Sequence, residues 1–258
     1  MLKKIPFIII TFNIIFSQLF FSEYAEGSSN NKYLEIYNGT GSDVDLSNYA
    51  IARYNNGSTT NENLFVLSGT LTNGEVYIIA NSGADADGIL SYNDDDGSNM
   101  TVTYFNGDDY LGLIHDDNSD GIFDNSSEVV DVIGLFGEDP GVGWDVAGTS
   151  TGTAEHTLVR KSTVTIGNTD WSASAGTTTD NSEWVVLAQN EWTYIGTHPH
   201  DIDEGVSDGG GTGGGDVEDC TNGLDDDGDG YIDCDDFDCP PCEGGSCAEY
   251  GCVDYTPS

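Results

Sequence analysis

Apolar and polar residues alternate in short runs through most of this chain, and clusters of Gly, Asn, Asp and Ser cut the runs apart. The clearest run is Tyr33-Leu34-Glu35-Ile36-Tyr37, which changes side at every residue and stops at Asn38-Gly39. A period of two puts successive side chains on opposite faces of a pleated strand. Asn and Gly tolerate the positive φ of a tight turn, so the pattern predicts a strand entering a hairpin. Ahead of it, Phe20, Phe21 and Tyr24 make a short apolar and aromatic edge. Further strands are predicted at Tyr49–Tyr54, Leu64–Leu67, Val76–Ala80, Tyr110–Ile114, Val129–Ile133, Thr157–Arg160 and Trp184–Leu187. Asn56-Gly57, Asn73-Gly74 and Asn106-Gly107 supply further turn chemistry. Helical periodicity is confined to one turn near Asp85–Leu90. Many short strands at this spacing predict an all-β sandwich, although the pattern does not set its strand order. Leu34, Ile36, Val76, Ile78, Leu111, Leu113, Val132 and Leu158 are expected in its core. At least one of Trp144, Trp171, Trp184 and Trp192 is expected there too, with the others over sheet edges or loop ends. An exposed aromatic row would instead indicate a carbohydrate-binding surface.

Length and charge narrow the picture. A chain of 258 residues can bury a sizeable core in one large domain with an appendage. Its formal net charge of -40, with only six Lys plus Arg, repels phosphate backbones and argues against direct nucleic-acid binding. Scattered Asp residues suit a solvating surface, whereas clustered ones suit divalent cations. Residues 1–17 read as a secretory signal: Lys3 and Lys4 precede an apolar run to Phe16 that is short for a membrane span. Ser17 is a plausible cleavage position, although Ile15 departs from the small-x-small rule. No Cys follows the run, so a lipoprotein anchor is not indicated; an uncleaved N-terminal anchor is the alternative. Secretion to the exterior or cell surface implies an oxidising compartment and no membrane contact beyond the leader.

The stretch FSEYAEGSSNNKYLEIYNGTGSDVDLSNYAI, from Phe21 to Ile51, resembles the opening of the lamin tail domain of secreted bacterial proteins. Leu67-Ser68-Gly69-Thr70-Leu71, followed by Asn73 to Asn81, resembles that family's central hairpin. Phe105 to Leu113, Asp131-Val132-Ile133-Gly134, the Trp144 neighbourhood, Thr157 to Lys161 and Tyr194-Ile195-Gly196-Thr197-His198 then follow in the family's order. The resemblance spans roughly residues 20 to 200. It implies an immunoglobulin-like β-sandwich over 18–200 that acts as a binding or targeting module attached to other activities.

Asp116 to Val130 departs from the family pattern as an acidic insertion. Asp116, Asn118, Asp120 and Asp124 put oxygen side chains at positions 1, 3, 5 and 9 of a calcium-type loop, with Gly121 at 6 and the Ile122 carbonyl at 7. Position 12, where a bidentate acid belongs, is Ser127, and Glu128 comes one residue late. The stretch reads either as a second, weaker calcium site or as a solvated Asp-rich turn.

Residues 201–217 turn acidic and then almost purely glycine, a composition that forms a flexible tether and marks a domain boundary. His198-Pro199-His200 beside Asp201 and Asp203 suggests a transition-metal site or, more simply, a surface strand end at the linker. Residues 218–242 carry the densest motif: Asp225, Asp227 and Asp229 at loop positions 1, 3 and 5, Gly230 at 6, the Tyr231 carbonyl at 7, Asp233 at 9 and Asp236 at 12. Six to eight hard oxygen ligands on a tightly bent chain suit Ca2+ better than Mg2+, and they argue against copper. The block resembles thrombospondin type 3 repeats and the Cys-flanked acidic repeats of bacterial surface proteins. A disordered acidic tail is the plain alternative. All six cysteines lie here: Cys220, Cys234, Cys239 and Cys242 are disulfide candidates, and Cys247 and Cys252 fall in 243–258, which resembles the start of a somatomedin-B-like knot that halts at Ser258.

Two functional classes follow. One is a secreted, non-catalytic binding or targeting module with a calcium-binding repeat, whose partner is an extracellular ligand or an attached catalytic domain. The other is the front part of a secreted nuclease or phosphodiesterase with its catalytic domain beyond Ser258. The four His lack a nucleophile partner motif, and no phosphate loop, His-Glu-x-x-His helix or nucleophile elbow occurs, so no catalytic residue is assigned.

Overall fold

The structure, a computed structural model, describes residues 18–60, 63–94 and 101–200. All lie in Met1–Glu204, the first of two units into which the chain divides. The leader and the calcium-type repeat with its cysteines therefore fall outside the described residues.

The strands are β1 (Phe20–Glu26), β2 (Lys32–Tyr37), β3 (Val44–Asp45), β4 (Tyr49–Tyr54), β5 (Asn63–Val66), β6 (Thr70–Leu71), β7 (Val76–Ala80), β8 (Tyr110–His115), β9 (Val129–Ile133), β10 (Thr157–Arg160) and β11 (Trp184–Leu187). A short helix, α1 (Trp171–Ala175), is held at its start by the Asp170 carboxylate, which accepts from the Ala173 N–H. Antiparallel pairing builds a five-stranded sheet in the order β11-β10-β1-β2-β7 and a four-stranded sheet in the order β5-β4-β8-β9, with β3 and β6 paired separately. This is an all-β, immunoglobulin-like sandwich.

Seven of the predicted strands recur within a residue or so, and the eighth, β2, begins at Lys32. The aromatic edge at Phe20 to Tyr24 is itself a full strand, β1, at the centre of the larger sheet. Two hairpin expectations fail. Asn38-Gly39 does not turn β2 back to pair with the next strand, β3, since β2 pairs with β1 and β7. The Asn38 N–H instead donates to the Glu75 carbonyl. Its amide donates to the carbonyls of Ser42 and Leu71 at 2.9 and 2.8 Å, so this residue ties three loop segments together. Likewise β6 and β7 form no hairpin: β6 pairs with β3 and β7 with β2, one in each of two sheets.

The inner faces meet in one apolar cluster that includes Phe21, Tyr24, Leu34, Ile36, Ile51, Leu111, Leu113, Val132, Leu158, Trp171 and Trp184. Each such side chain contributes about 1.5–3 kcal/mol on full burial. A second cluster lies on the outer face of the five-stranded sheet, where Ala25, Tyr33, Ile78 and Ala80 are covered by Ala84, Ile89 and Ile195, with Trp192 packed alongside. Of the expected core residues only Val76 stays half-buried, at the end of edge strand β7. Trp144, Trp171 and Trp184 are buried and Trp192 is half-buried, so the tryptophans form no exposed row.

Gly134 ends β9 with φ 88°, and a Cβ there would meet the Trp144 ring at 2.6 Å. Gly134→Ala is therefore expected to cost about 2–4 kcal/mol, from left-handed backbone strain plus overpacking against a rigid indole. A lowered urea midpoint with an unchanged slope is the expected readout.

Candidate functional site

The two sheets are joined by a buried ion pair. Arg160 on β10 and Asp131 on β9 both have fully buried side chains, and Nη2 of the arginine donates to both carboxylate oxygens at 2.7 Å. β10 pairs with β1 only from Glu23 to Ala25. Beyond that register the Phe21 N–H donates to Asp131 Oδ2 at 2.8 Å, and the Asn168 N–H reaches Oδ1 at 2.9 Å. Burial pushes the Asp131 carboxyl above its usual range, and Arg160 with these two N–H groups pulls it back. Nη1 of Arg160 donates to Ser174 Oγ at 2.8 Å and to Glu183 at 3.2 Å, and the guanidinium lies 4.2 Å from the Trp184 ring centroid. The Asp131-Val132-Ile133-Gly134 motif thus joins the sheets, a role its alternating pattern did not announce.

Two further cations also turn inward. Lys32 pairs with Glu26 and donates to the Phe105 carbonyl at 2.6 Å. Arg53 pairs with Asp109 at 2.6 Å and donates to the Thr101 carbonyl at 2.9 Å. The two hold the segment from Thr101 to Asp109 against β2 and β4 through charge-assisted bonds. Of the six Lys and Arg in the chain, Lys32, Arg53 and Arg160 are buried. Lys161 donates to the Thr179 carbonyl at 2.5 Å.

The acidic insertion folds back on its own backbone. Asp116, buried, accepts from the N–H groups of Asp120 and Gly121 at 3.1 and 2.8 Å. Asn118 Oδ1 accepts from the Asp120 N–H, while Asp120 Oδ1 accepts from the Ile122 N–H. Asp124 accepts from Ser126 and Ser127, which holds its carboxyl below the usual range. Glu128, out of register for a standard loop, is buried and closes it, accepting from the Asn118 amide and the Asp124 N–H, each at 2.9 Å. Among the described residues, no group of three or more His, Cys, Asp and Glu converges as a metal site. Asp225, Asp227, Asp229, Tyr231, Asp233 and Asp236 lie outside the described residues, as do Cys220, Cys234, Cys239 and Cys242.

His198 is not a surface strand end. It is buried, with its ring 5.6 Å from that of Phe20 and 4.7 Å from that of Tyr37, and burial lowers its pKa to about 4. His200 Nε2 lies 2.7 Å from the Thr197 carbonyl and 3.1 Å from that of Tyr194. His198 thus packs the last described segment onto the larger sheet, and His200 braces that segment internally.

Two cavities open on the described surface. One of ≈540 Å³ is lined by Asp43, Asp45, Asn48, Tyr49, His115 and Asp117 among others. The other, of ≈300 Å³, is bordered by Tyr110, Asn125, Leu135, Phe136, Thr169 and Trp171. The first cavity has acidic, hydroxyl and imidazole groups in its lining, and the second is lined mainly by aromatic and apolar side chains.

Residues 16–136 match the family model described as Lamin Tail Domain. A solved structure similar to this chain is that of a DUF4876 family protein from Bacteroides thetaiotaomicron VPI-5482, at 11% sequence identity, covering 74% of this chain and 76% of that one with a TM-score of 0.43. No curated protein matches the chain.

Proposed function

We propose that this chain is a secreted, non-catalytic binding or targeting module: an immunoglobulin-like sandwich of lamin-tail type followed by an acidic repeat that binds Ca2+. The observation that carries the first part is the match of residues 16–136 to the lamin tail model, on a sandwich whose described side chains are spent on packing and internal ion pairs. Internal pairing of Lys32, Arg53 and Arg160 leaves an exterior dominated by carboxylates, which favours cations and cationic partners over nucleic acid. The second part rests on the spacing of Asp225, Asp227, Asp229, Asp233 and Asp236 around Gly230.

Titration calorimetry on the full chain, with its cysteines oxidised, tests the calcium reading. Binding is expected in the ~10⁻⁴–10⁻³ M range of extracellular modules, because ordering the loop offsets part of the gain. Asp227→Ala with Asp229→Ala is expected to abolish that heat and leave the thermal transition of the sandwich unchanged. Equal binding by the double variant would refute the assignment. Incubation with DNA, RNA and a chromogenic phosphodiester in millimolar Ca2+ or Mg2+ tests the non-catalytic reading, and turnover that copurifies with the chain would overturn it.

A further inference from the structure

Glu23 on β1 and Glu35 on β2 stand directly opposite each other in the five-stranded sheet, and both are fully buried. They share the outer face with Ala25 and Tyr33, two register steps away, beneath the closing segment that carries Trp192 and Ile195. Ser22 Oγ donates to Glu35 Oε1 and the Gly196 N–H donates to Glu35 Oε2, each at 2.7 Å. The Tyr33 hydroxyl donates to Glu23 Oε2 at 2.5 Å, while Glu23 Oε1 is buried with no partner. The titratable groups around the pair are Tyr33 from β2, Asp94, whose carboxylate accepts from the Ile78 N–H of β7, Tyr194 from the closing segment, and Glu191 just ahead of it. β10 presents Val159 opposite Glu23, and β7 presents Ile78 opposite Glu35. The closing segment also carries His198, packed against Phe20 and Tyr37 and lowered by burial to about 4. The other groups here are acidic or phenolic, and the adjacent Lys32 is committed to Glu26 and Phe105.

We propose that the closing segment from Trp192 to His198 is a proton-dependent latch, shut over Glu23 and Glu35 while the pair holds protons and lifted from the sheet when both carboxyls ionise. Two ionised carboxylates at cross-strand distance, dry and without a cation, are strongly disfavoured. Lifting the segment lets both solvate at their ordinary values near ~4.3. Burial raises Glu35 to about 7, with its Ser22 and Gly196 donors working against that rise. Burial and the neighbouring Glu35 hold Glu23 well above the usual range. Both groups bind protons more tightly in the shut state. The two carboxyls therefore favour the shut state most below their ordinary range and lose ground as pH rises through the window up to the raised values, while buried His198 acts in the opposite sense from its ordinary ~6.5 down to about 4. Each group shifts the open-to-shut ratio by about tenfold per pH unit in that window. Lifting the segment uncovers Ala25, Tyr33, Ile78 and Ala80.

Hydrogen exchange read by mass spectrometry on the full chain, at pH 5.5, 6.5 and 7.5 and corrected for intrinsic exchange, tests the latch. Protection of the Ile195 and Gly196 amides is expected to fall by about tenfold or more per pH unit relative to amides of β4 and β8. Glu23→Gln and Glu35→Gln are each expected to flatten that slope. A pH-independent ratio in the unmodified protein, a parallel loss in β4 and β8, or an unchanged slope in both variants would overturn the proposal. The measurement on the unmodified chain decides the question even if a variant fails to fold.

Discussion

Asp131→Ala is expected to destabilise the sandwich by about 3–5 kcal/mol, because it leaves the Arg160 guanidinium charged and buried with its main partner gone. The same substitution orphans the N–H groups of Phe21 and Asn168, which both end on this carboxylate. Arg160 retains only Ser174 and the more distant Glu183. Asp131→Asn keeps the shape but not the charge and is expected to cost nearly as much. The informative comparison is the double variant Asp131→Leu with Arg160→Met. Removing both charges lifts both desolvation penalties, so the pair should cost clearly less than the sum of the two single changes. Chemical denaturation of the four proteins checks this, and strict additivity would show that the two residues do not act as a unit.

Trp184→Ala is expected to cost about 3–5 kcal/mol, the range for deleting a large aromatic from a well-packed interior. Trp184 is the largest fully buried side chain among the described residues and sits among Trp171, Leu158 and the rest of the inner cluster. Its indole N–H donates to Ser174 Oγ at 2.9 Å, and its face lies under the Arg160 guanidinium. The loss thus combines a cavity, one of the two hydrogen bonds to Ser174 Oγ and the cation–π stack, the last worth ~0.5–2 kcal/mol. Trp184→Phe keeps most of the volume and is expected to recover more than half of the loss. Equal destabilisation by Phe and Ala would assign the effect to the indole N–H rather than to packing. Trp184 and Asp131 share Arg160, so their effects should not add.

The insertion shows where spacing misleads. Counting residues put Ser127 at the closing position and left Glu128 one place late. In the folded loop Glu128 nonetheless reaches both Asn118 and Asp124, because the segment from Asp124 to Glu128 curls into a turn, with the Glu128 N–H bonded to the Asp124 carbonyl. A linear count assumes a fixed backbone path, and a single turn of different geometry moves a carboxylate by several ångströms.

What the sequence determined by itself was local. Alternation marked most of the strands, since a half-buried pleated surface selects β-branched and aromatic residues at every second position. The family resemblance, matched by the lamin tail model over residues 16–136, named the architecture in advance of its geometry. Tertiary structure alone decided the rest. Glu35 lies on the face that alternation assigns to solvent, yet it is buried because a segment some 160 residues downstream covers that face. Asp131 interrupts an apolar strand and Arg160 ends one, and nothing local distinguishes them from exposed charges on an edge. Their meaning comes from the sandwich, which brings β9 against β10 across two sheets and excludes water from between them. A hydrophobic period reports which side of its own strand a residue occupies, but what lies on that side is set by contacts between parts of the chain far apart in sequence.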